Sequence, residues 1–401
     1  MNYQFDQVVN REETNAIKYD YIKRPKFEQD TIPMWVADMD FPAPPEVLED
    51  IQKAVTHGIF GYSMPGEAYD QAVIEWYKRR HGYQVERNEI VNTPGVVYAL
   101  AQLVQAFTEQ GDAILIQTPV YHPFQEVIRA NHRVVVSNPL HFDDHKYTID
   151  FDDFEEKIKT HNVKMFLLCN PHNPVGRVWK RDELERLNEI CVTYDVLIVS
   201  DEIHCDFIYE GHQHYSFAHI NSEAIITTAP SKTFNLAGLQ VAHVFLKNQE
   251  RKRKLEKQIE ASGYSQLNTL GLVACQSAYE KGEAWLTELL LYLADNVKLV
   301  RDFVETELPM VKLIEPEGTY LLWLDFSEYD QHQEEIEDRM VHGAKLFLST
   351  GTTYGVEGVG FMRMNIACPR VILEEALRRI KREFTKKVEW IHLDTFQSYG
   401  D

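Results

Sequence analysis

The sequence Ala224-Ile-Ile-Thr-Thr-Ala-Pro-Ser-Lys232-Thr-Phe-Asn-Leu-Ala-Gly238 predicts an apolar β-strand that ends in a polar corner and a lysine. Two upstream stretches have the same form, Phe166-Leu-Leu-Cys-Asn-Pro-His-Asn173-Pro-Val-Gly176 and Val196-Leu-Ile-Val-Ser-Asp201-Glu-Ile-His204. The spacings, 28 residues from position 173 to 201 and 31 from 201 to 232, each fit one helix plus one strand. In an α/β sheet, side chains at such strand ends emerge at the carboxyl edge, where ligands bind.

The rest of the chain supports an α/β fold with two domains. Apolar runs without polar alternation alternate with helical stretches, which is typical of a mostly parallel sheet covered by helices on both faces. Beyond residue 267 a long amphipathic helix and two further strands predict a smaller α+β domain. We therefore expect an N-terminal arm (1–45) that joins the small domain, a large domain (46–284) and a small C-terminal domain (285–401). The segment 385–401 shows no clear period.

Composition excludes several classes of protein. With 401 residues, 44% of them apolar, the chain can bury a large core. A formal charge of −21 argues against nucleic-acid binding. Five scattered cysteines form no disulfide framework, and the chain has no signal peptide and no apolar run long enough to span a membrane. These features predict a cytoplasmic protein.

The three corners carry the groups that a pyridoxal phosphate (PLP) site requires. Lys232 provides an amine for the cofactor's aldehyde, Asp201 a carboxylate for its ring nitrogen, and Asn173 an amide for its phenolic oxygen. Each residue also has a simpler interpretation, as a surface lysine, a helix N-cap and an ordinary Asn-Pro turn. Glu202 competes with Asp201, although a spacing of one residue points it elsewhere. The prediction of a PLP site therefore depends on the order and spacing of Asn173, Asp201 and Lys232 together.

Other segments supply candidate contacts to the cofactor and the substrate. Asn92-Thr-Pro-Gly95-Val-Val predicts a helix start whose N–H groups at Val96 and Val97 bind phosphate, unless it is only an ordinary capped helix. Ser231 adds a hydroxyl, and Tyr121 can stack on the ring. Arg363, between two methionines in a predicted strand, is expected to bind a substrate carboxylate, with a structural ion pair as the alternative.

Two further patterns are set aside. His212, His214 and His219 lie in a polar, loop-like segment without cysteine, so we predict no metal site there. The glycines between residues 351 and 360 follow no dinucleotide-binding pattern.

Taken together, these motifs resemble fold-type I PLP enzymes of the class I/II aminotransferase superfamily, over about residues 30–384. Met34-Trp-Val-Ala-Asp-Met-Asp-Phe41 and Arg363-Met-Asn-Ile-Ala-Cys-Pro-Arg370 are similar to the MalY/PatB-type cystathionine β-lyase subgroup. The resemblance implies a homodimer with shared active sites, in which Tyr62 reaches the neighbouring subunit's phosphate. It also implies a pocket contact from His204 and a substrate contact from Ala37. Gln240 departs from the pattern, because many relatives have a phosphate-binding arginine there.

The function that this resemblance implies is a PLP-dependent carbon–sulfur β-lyase. It would cleave L-cystathionine, L-cysteine or related S-substituted cysteines to pyruvate, ammonia and a thiol. An aminotransferase uses the same residues in its first steps, and a regulatory binding role of the fold is a third possibility. The residues alone do not select the sulfur amino acid: Trp35, Tyr320 and Trp323 fit an apolar pocket wall or the core equally well.

Overall fold

The computed structural model describes residues 3–24, 27–28, 30–329 and 332–385, so most of the 385–401 segment lies outside the described residues. In chain order the strands are β1 (Ile32–Pro33), β2 (Ile90–Thr93), β3 (Ala113–Ile116), β4 (Val134–Ser137), β5 (His141–Asp143), β6 (Lys146–Thr148), β7 (Met165–Cys169), β8 (Leu197–Asp201), β9 (Ile225–Thr228), β10 (Ala242–Phe245), β11 (Lys312–Ile314), β12 (Leu321–Asp325), β13 (Leu346–Phe347), β14 (Ser349–Thr350) and β15 (Phe361–Asn365).

The α-helices are α1 (Ile17–Asp20), α2 (Pro45–His57), α3 (Glu67–His81), α4 (Val96–Phe107), α5 (Pro123–Ala130), α6 (Phe151–His161), α7 (Arg181–Thr193), α8 (Pro230–Thr233), α9 (Gln249–Ala261), α10 (Thr269–Lys281), α11 (Glu283–Glu307), α12 (Gln333–Asp338) and α13 (Arg370–Phe384). A π-helical turn, Arg339–Gly343, follows α12. Within the described residues, no helix combines the length and apolar character that a membrane-spanning segment requires.

A seven-stranded sheet forms the centre of the molecule, with the strand order β2-β10-β9-β8-β7-β3-β4. Neighbours from β9 to β4 pair in parallel, and β10 runs antiparallel to both β9 and β2. The prediction of an α/β fold with a mostly parallel sheet is confirmed. The antiparallel edge made by β2 and β10 was not predicted.

Helices cover both faces of this sheet, which explains why strands such as β3 and β7 contain no polar alternation. Met165 and Leu167 of β7 pack into one apolar cluster, with residues of α4, α5 and α9. Phe166 and Leu168 point to the opposite face and a second cluster, which includes residues of α3, α7 and α10. Since alternate side chains of one strand are buried on opposite sides, an uninterrupted apolar run is the expected pattern.

A second sheet, β11-β12-β15-β14, is antiparallel. Both ends of the chain meet near it: β1 pairs in parallel with β13, with Ile32 opposite Leu346, and the amide of Asn365 donates to the carbonyls of Val36 and Asp38 at 2.6 Å. The segment 32–38 is thereby fixed between the two sheets. The domain boundaries at residues 45 and 284 stay a prediction.

Candidate active site

Strand order brings the three predicted corners together. β7, β8 and β9 are adjacent and parallel, with Cys169 opposite Asp201 and Asp201 opposite Thr227. Their carboxyl ends open on a cavity of about 590 Å³. Ten of the eleven predicted site residues line it: Ala37, Val96, Val97, Tyr121, Asn173, Asp201, His204, Ser231, Lys232 and Arg363.

Lys232 lies on the short helix α8, which follows β9 directly. Its Nζ donates to the carbonyl oxygen of Ala37 at 2.7 Å, and the hydroxyl of Tyr320 donates to the same oxygen at 3.0 Å. Burial, assisted by the positive charge of Arg363, lowers the pKa of Lys232 to about 8. An amine with this pKa is available as a nucleophile and base near neutral pH.

Asp201 ends β8 and is buried, and its Oδ1 accepts a hydrogen bond from the Ile203 amide at 3.2 Å. Burial raises its pKa to about 7. Glu202 points away from the cavity: its carboxylate accepts from the Phe217 amide at 2.8 Å and lies 3.2 Å from Nε2 of His214. The geometry therefore favours Asp201 over Glu202 as the carboxylate of the cavity.

Arg363 is buried, with 4% of its surface exposed. Its guanidinium donates to Asn173 Oδ1 at 3.0 Å, to the Trp35 carbonyl at 2.6 Å and to the Ser349 hydroxyl at 3.3 Å. Nε has no hydrogen-bond partner, and no carboxylate among the described residues forms an ion pair with this arginine. A structural ion pair, the alternative interpretation, is therefore not what buries it. An unneutralised guanidinium that faces a cavity is suited to an anionic ligand.

The opposite wall of the cavity is the first turn of α4. Gly95 precedes this twelve-residue helix, and no side chain caps it. Because the first N–H groups of a helix have no intrahelical partner, Val96 and Val97 present donors toward the cavity. Ser231 and Gln240 line the same cavity. This wall is suited to a phosphate group held by neutral donors.

Two aromatic rings, those of Tyr121 and His204, line the cavity together with the Asp201 carboxylate. The Tyr121 amide donates to the Asn173 carbonyl at 3.0 Å, which fixes the tyrosine beside the β7 corner. The ring of His204 contacts Tyr320 edge to face at 5.9 Å, and its buried Nδ1 has no hydrogen-bond partner. Burial, with the charge of Lys232, holds the pKa of His204 well below its usual range, so the ring is neutral.

Tyr62 is the predicted residue that does not line this cavity. It is 96% exposed, in a stretch where Ile59, Phe60 and Met64 are also exposed. Of the three candidate wall aromatics, Trp35 lines the cavity. Tyr320 and Trp323 are buried, and Nε1 of Trp323 donates to the Tyr147 hydroxyl at 3.0 Å.

The three histidines that were considered for metal binding do not converge. His214 instead lies near His81 and Cys205, with possible ligand atoms within 4.8 Å of one another. Carboxylates already engage both rings: Nε2 of His81 lies 3.0 Å from Asp206, and Nε2 of His214 lies 3.2 Å from Glu202. Hydrogen bonding accounts for this cluster.

Sequence reasoning did not identify several residues of the outer wall. Ser349 contacts Arg363 directly, the Tyr354 ring lies 5.1 Å from the same guanidinium, and Glu337 and Phe347 line the cavity further out. These residues lie between positions 337 and 354, where elements are short and carry no motif. Pairing of β14 with β15, which places Ser349 opposite Arg363, is the feature that brings them to the site.

Comparison with known proteins agrees with this geometry. The family model for aminotransferase class I and II matches residues 29–380. The chain is 42% identical to cystathionine β-lyase PatB of Bacillus subtilis, over 94% of this chain and 98% of that protein. Protein MalY of Escherichia coli is 30% identical, over 94% and 97% of the two chains.

Among solved structures, cystalysin from Treponema denticola, which contains a pyridoxal 5′-phosphate cofactor, superposes with a TM-score of 0.92 at 36% identity, over 96% of this chain and 99% of that chain. The resemblance that the strand-end motifs indicated is confirmed. The chain belongs to the class I and II aminotransferase family, in the subgroup that includes PatB and MalY.

Proposed function

We propose that this protein is a pyridoxal phosphate-dependent carbon–sulfur β-lyase, which releases pyruvate, ammonia and a thiol from S-substituted L-cysteines. The single observation that carries the proposal is the cavity itself. An amine with a lowered pKa, a buried carboxyl group and an unneutralised guanidinium face one volume of about 590 Å³. Relatives named as cystathionine β-lyase, PatB at 42% identity among them, support the same function.

The residues fit the cofactor group by group. Asp201, whose pKa burial raises to about 7, would accept the ring N–H and so keep the ring nitrogen protonated. The uncapped start of α4 and Ser231 would donate to the phosphate. Asn173 would donate through its amide nitrogen to the phenolic oxygen, since its Oδ1 already accepts from Arg363. When bound, pyridoxal phosphate supplies an aldehyde that joins to amines and a ring that takes up electrons from the substrate's Cα.

The chain's own groups then carry out the remaining tasks. Arg363 binds the substrate carboxylate and so fixes Cα relative to Lys232. Lys232, once free, accepts the Cα proton at Nζ. Ala37 holds that amine through its carbonyl oxygen, and Tyr121 and His204 confine the ring. Departure of the thiolate from Cβ completes the elimination.

We also infer a homodimer and a cytoplasmic location. The exposed apolar stretch from residue 59 to 64 suits contact with a second copy, because a monomer gains nothing by exposing Ile59, Phe60 and Met64 together. Tyr62 would then reach the phosphate of the neighbouring site and supply part of the binding that an arginine in place of Gln240 would give. All five cysteines are free and buried, in keeping with a reducing compartment.

The absorbance spectrum of the purified protein, followed by a pyruvate assay with L-cystathionine, tests the lyase assignment. We expect a visible band that changes on addition of substrate, with stoichiometric pyruvate and thiol. Lys232→Ala should lose covalent attachment of the cofactor, whereas Lys247→Ala, at an exposed lysine, should retain it. Conversion to the pyridoxamine form without pyruvate would identify an aminotransferase instead. A protein that shows no visible band even with added cofactor would refute the proposal.

A further inference from the structure

Glu337 places a carboxylate on the outer wall of the cavity. This residue of α12 is half-buried and lines the cavity. Its Oε1 accepts a hydrogen bond from the Thr350 hydroxyl, which in turn accepts from Gln333 Nε2 at 2.9 Å. Gln333 is held by the Gly360 amide, which donates to its Oε1 at 2.8 Å. The carboxylate is thus held in position by a chain of hydrogen bonds that is partly buried.

This carboxylate has no ion-pair partner within the part of the chain that the structure describes. Glu337 forms no ion pair with any described lysine, arginine or histidine. Lys232 and Arg363, the lysine and arginine of the lining, are engaged at the inner end of the cavity, with the Ala37 carbonyl and with Asn173. A half-buried anion without a counter-ion is an electrostatic site for a cationic group.

Glu337 and Arg363 contact neighbouring residues of β14. The Ser349 hydroxyl contacts Arg363, the Thr350 hydroxyl contacts Glu337, and all four residues line the cavity. The cavity wall around this point is apolar, with side chains of Trp35, Val341, Phe347 and Leu348. A ligand whose carboxylate binds Arg363 would therefore pass apolar side chains before it reaches Glu337.

We propose that Glu337 binds a positively charged group at the end of the sulfur substituent. The preferred substrates are then S-substituted L-cysteines whose substituent is a short hydrocarbon chain that ends in an ammonium. This inference rests on the lyase function proposed above. The apolar wall contacts the hydrocarbon part of such a substituent, and the Glu337 carboxylate binds its ammonium. A substituent that ends in a carboxylate and has no ammonium is disfavoured, because Glu337 repels it.

A pair of isosteric substrates isolates the charge. S-(2-aminoethyl)-L-cysteine and S-propyl-L-cysteine differ by an ammonium in place of a methyl group, and both would release pyruvate. With the wild-type holoenzyme we expect kcat/KM to favour the aminoethyl compound by roughly 10-fold, as for one partly exposed charged hydrogen bond. In Glu337→Gln, which keeps the acceptor for Thr350, the ratio should fall towards about 1. Glu334→Gln, an exposed residue of the same helix, should keep the wild-type ratio.

The possible outcomes distinguish a failure of the Glu337 inference from a failure of the proposed lyase function. If Glu337→Gln releases pyruvate from both compounds with the wild-type ratio, or if the wild type does not favour the aminoethyl compound, the role of Glu337 is overturned and the lyase assignment stands. If the wild-type holoenzyme releases no pyruvate from either compound or from L-cystathionine, the lyase assignment fails and the inference fails with it.

Discussion

Asp206 provides a test of how Lys232 is held in place. Its buried carboxylate lies 3.1 Å from Nε of Arg80 and 3.0 Å from Nε2 of His81, and it accepts from the Thr233 hydroxyl at 2.7 Å. Thr233 is the residue after Lys232. Burial alone would raise the pKa of Asp206, but the hydrogen bond and charge of His81, the charge of Arg80 and the Thr233 hydroxyl lower it to about 2. Asp206 therefore connects the end of α3, the β8 corner and the turn that carries the lysine.

The lowered pKa of Asp206 sets how much its carboxylate contributes to the stability of the fold. A shift of roughly two units below the unfolded value corresponds to about 2.5 kcal/mol of stability at neutral pH. This contribution is present above pH 4 and is lost as the pH falls towards 2, because the lowered pKa belongs to the folded state. Asp206→Asn removes the charge and leaves Arg80 and His81 facing an amide. We expect the free energy of unfolding to fall by about 3 kcal/mol at pH 7.

Thermal and urea unfolding of the cofactor-free protein at pH 7 measure this loss. For a chain of this length the entropy of unfolding is about 0.8 kcal/mol/K, so the midpoint temperature should fall by about 3 to 4 °C. Glu283→Gln is the matched control, because Glu283 pairs with the same Arg80 at 2.7 Å but is 42% exposed; its loss should stay below about 1 kcal/mol. Equal losses in the two variants would refute the argument that burial makes Asp206 the stronger partner.

Three further predictions concern the site. Arg363→Ala should raise KM for amino-acid substrates by roughly 100-fold, with a smaller change in kcat, since it removes a charged hydrogen bond to the substrate carboxylate. Equal KM values for the wild type and the variant would show that Arg363 does not bind this carboxylate. Between pH 8 and 10.5 the free energy of unfolding of the cofactor-free wild type should rise by about 3 kcal/mol relative to that of Lys232→Met. The reason is that the folded lysine, with its pKa lowered to about 8, loses its proton at lower pH than the unfolded one does. Urea midpoints that change in parallel with pH in the two proteins would contradict this sign. Co-refolding Lys232→Ala with Tyr62→Ala chains should restore activity that each variant lacks, because one site of the mixed dimer is then intact; separate sites within each chain would give no recovery.

The sequence predicted those parts of the site that local patterns encode. Asn173, Asp201 and Lys232 each follow an apolar strand, and the strands form where predicted to within two residues. That the three corners are neighbours depends on β7, β8 and β9 being adjacent in the sheet, which periodicity alone does not specify. A lone lysine or aspartate gave a weak signal, and the ordered set gave a strong one because each interval had to contain one helix and one strand.

The outer wall could not be predicted, for a physical reason. Glu337 lies in a six-residue helix rich in acidic side chains, which in sequence is indistinguishable from a solvated surface segment. Only the pairing of β14 with β15, and the hydrogen bonds through Thr350 and Gln333, bring its carboxylate to the cavity. Arg363 was predictable as a buried cation, but the absence of an acidic partner for it is a property of the tertiary structure.

The electrostatics of the cavity support our proposal that the substrate is an amino acid and not a simple amine or acid. Burial shifts Asp201 and Lys232 in opposite directions, to pKa values of about 7 and about 8, so each group loses part of its charge near neutral pH. Arg363 keeps its charge, because a guanidinium does not lose its proton in this range. The positive charge of Arg363 at the inner end attracts a carboxylate. The lowered pKa of Lys232 brings part of that lysine into the neutral form near neutral pH, and this form neither repels a substrate ammonium nor competes for the carboxylate. We therefore expect the inner end of the cavity to bind a zwitterionic amino acid more tightly than a simple amine or acid.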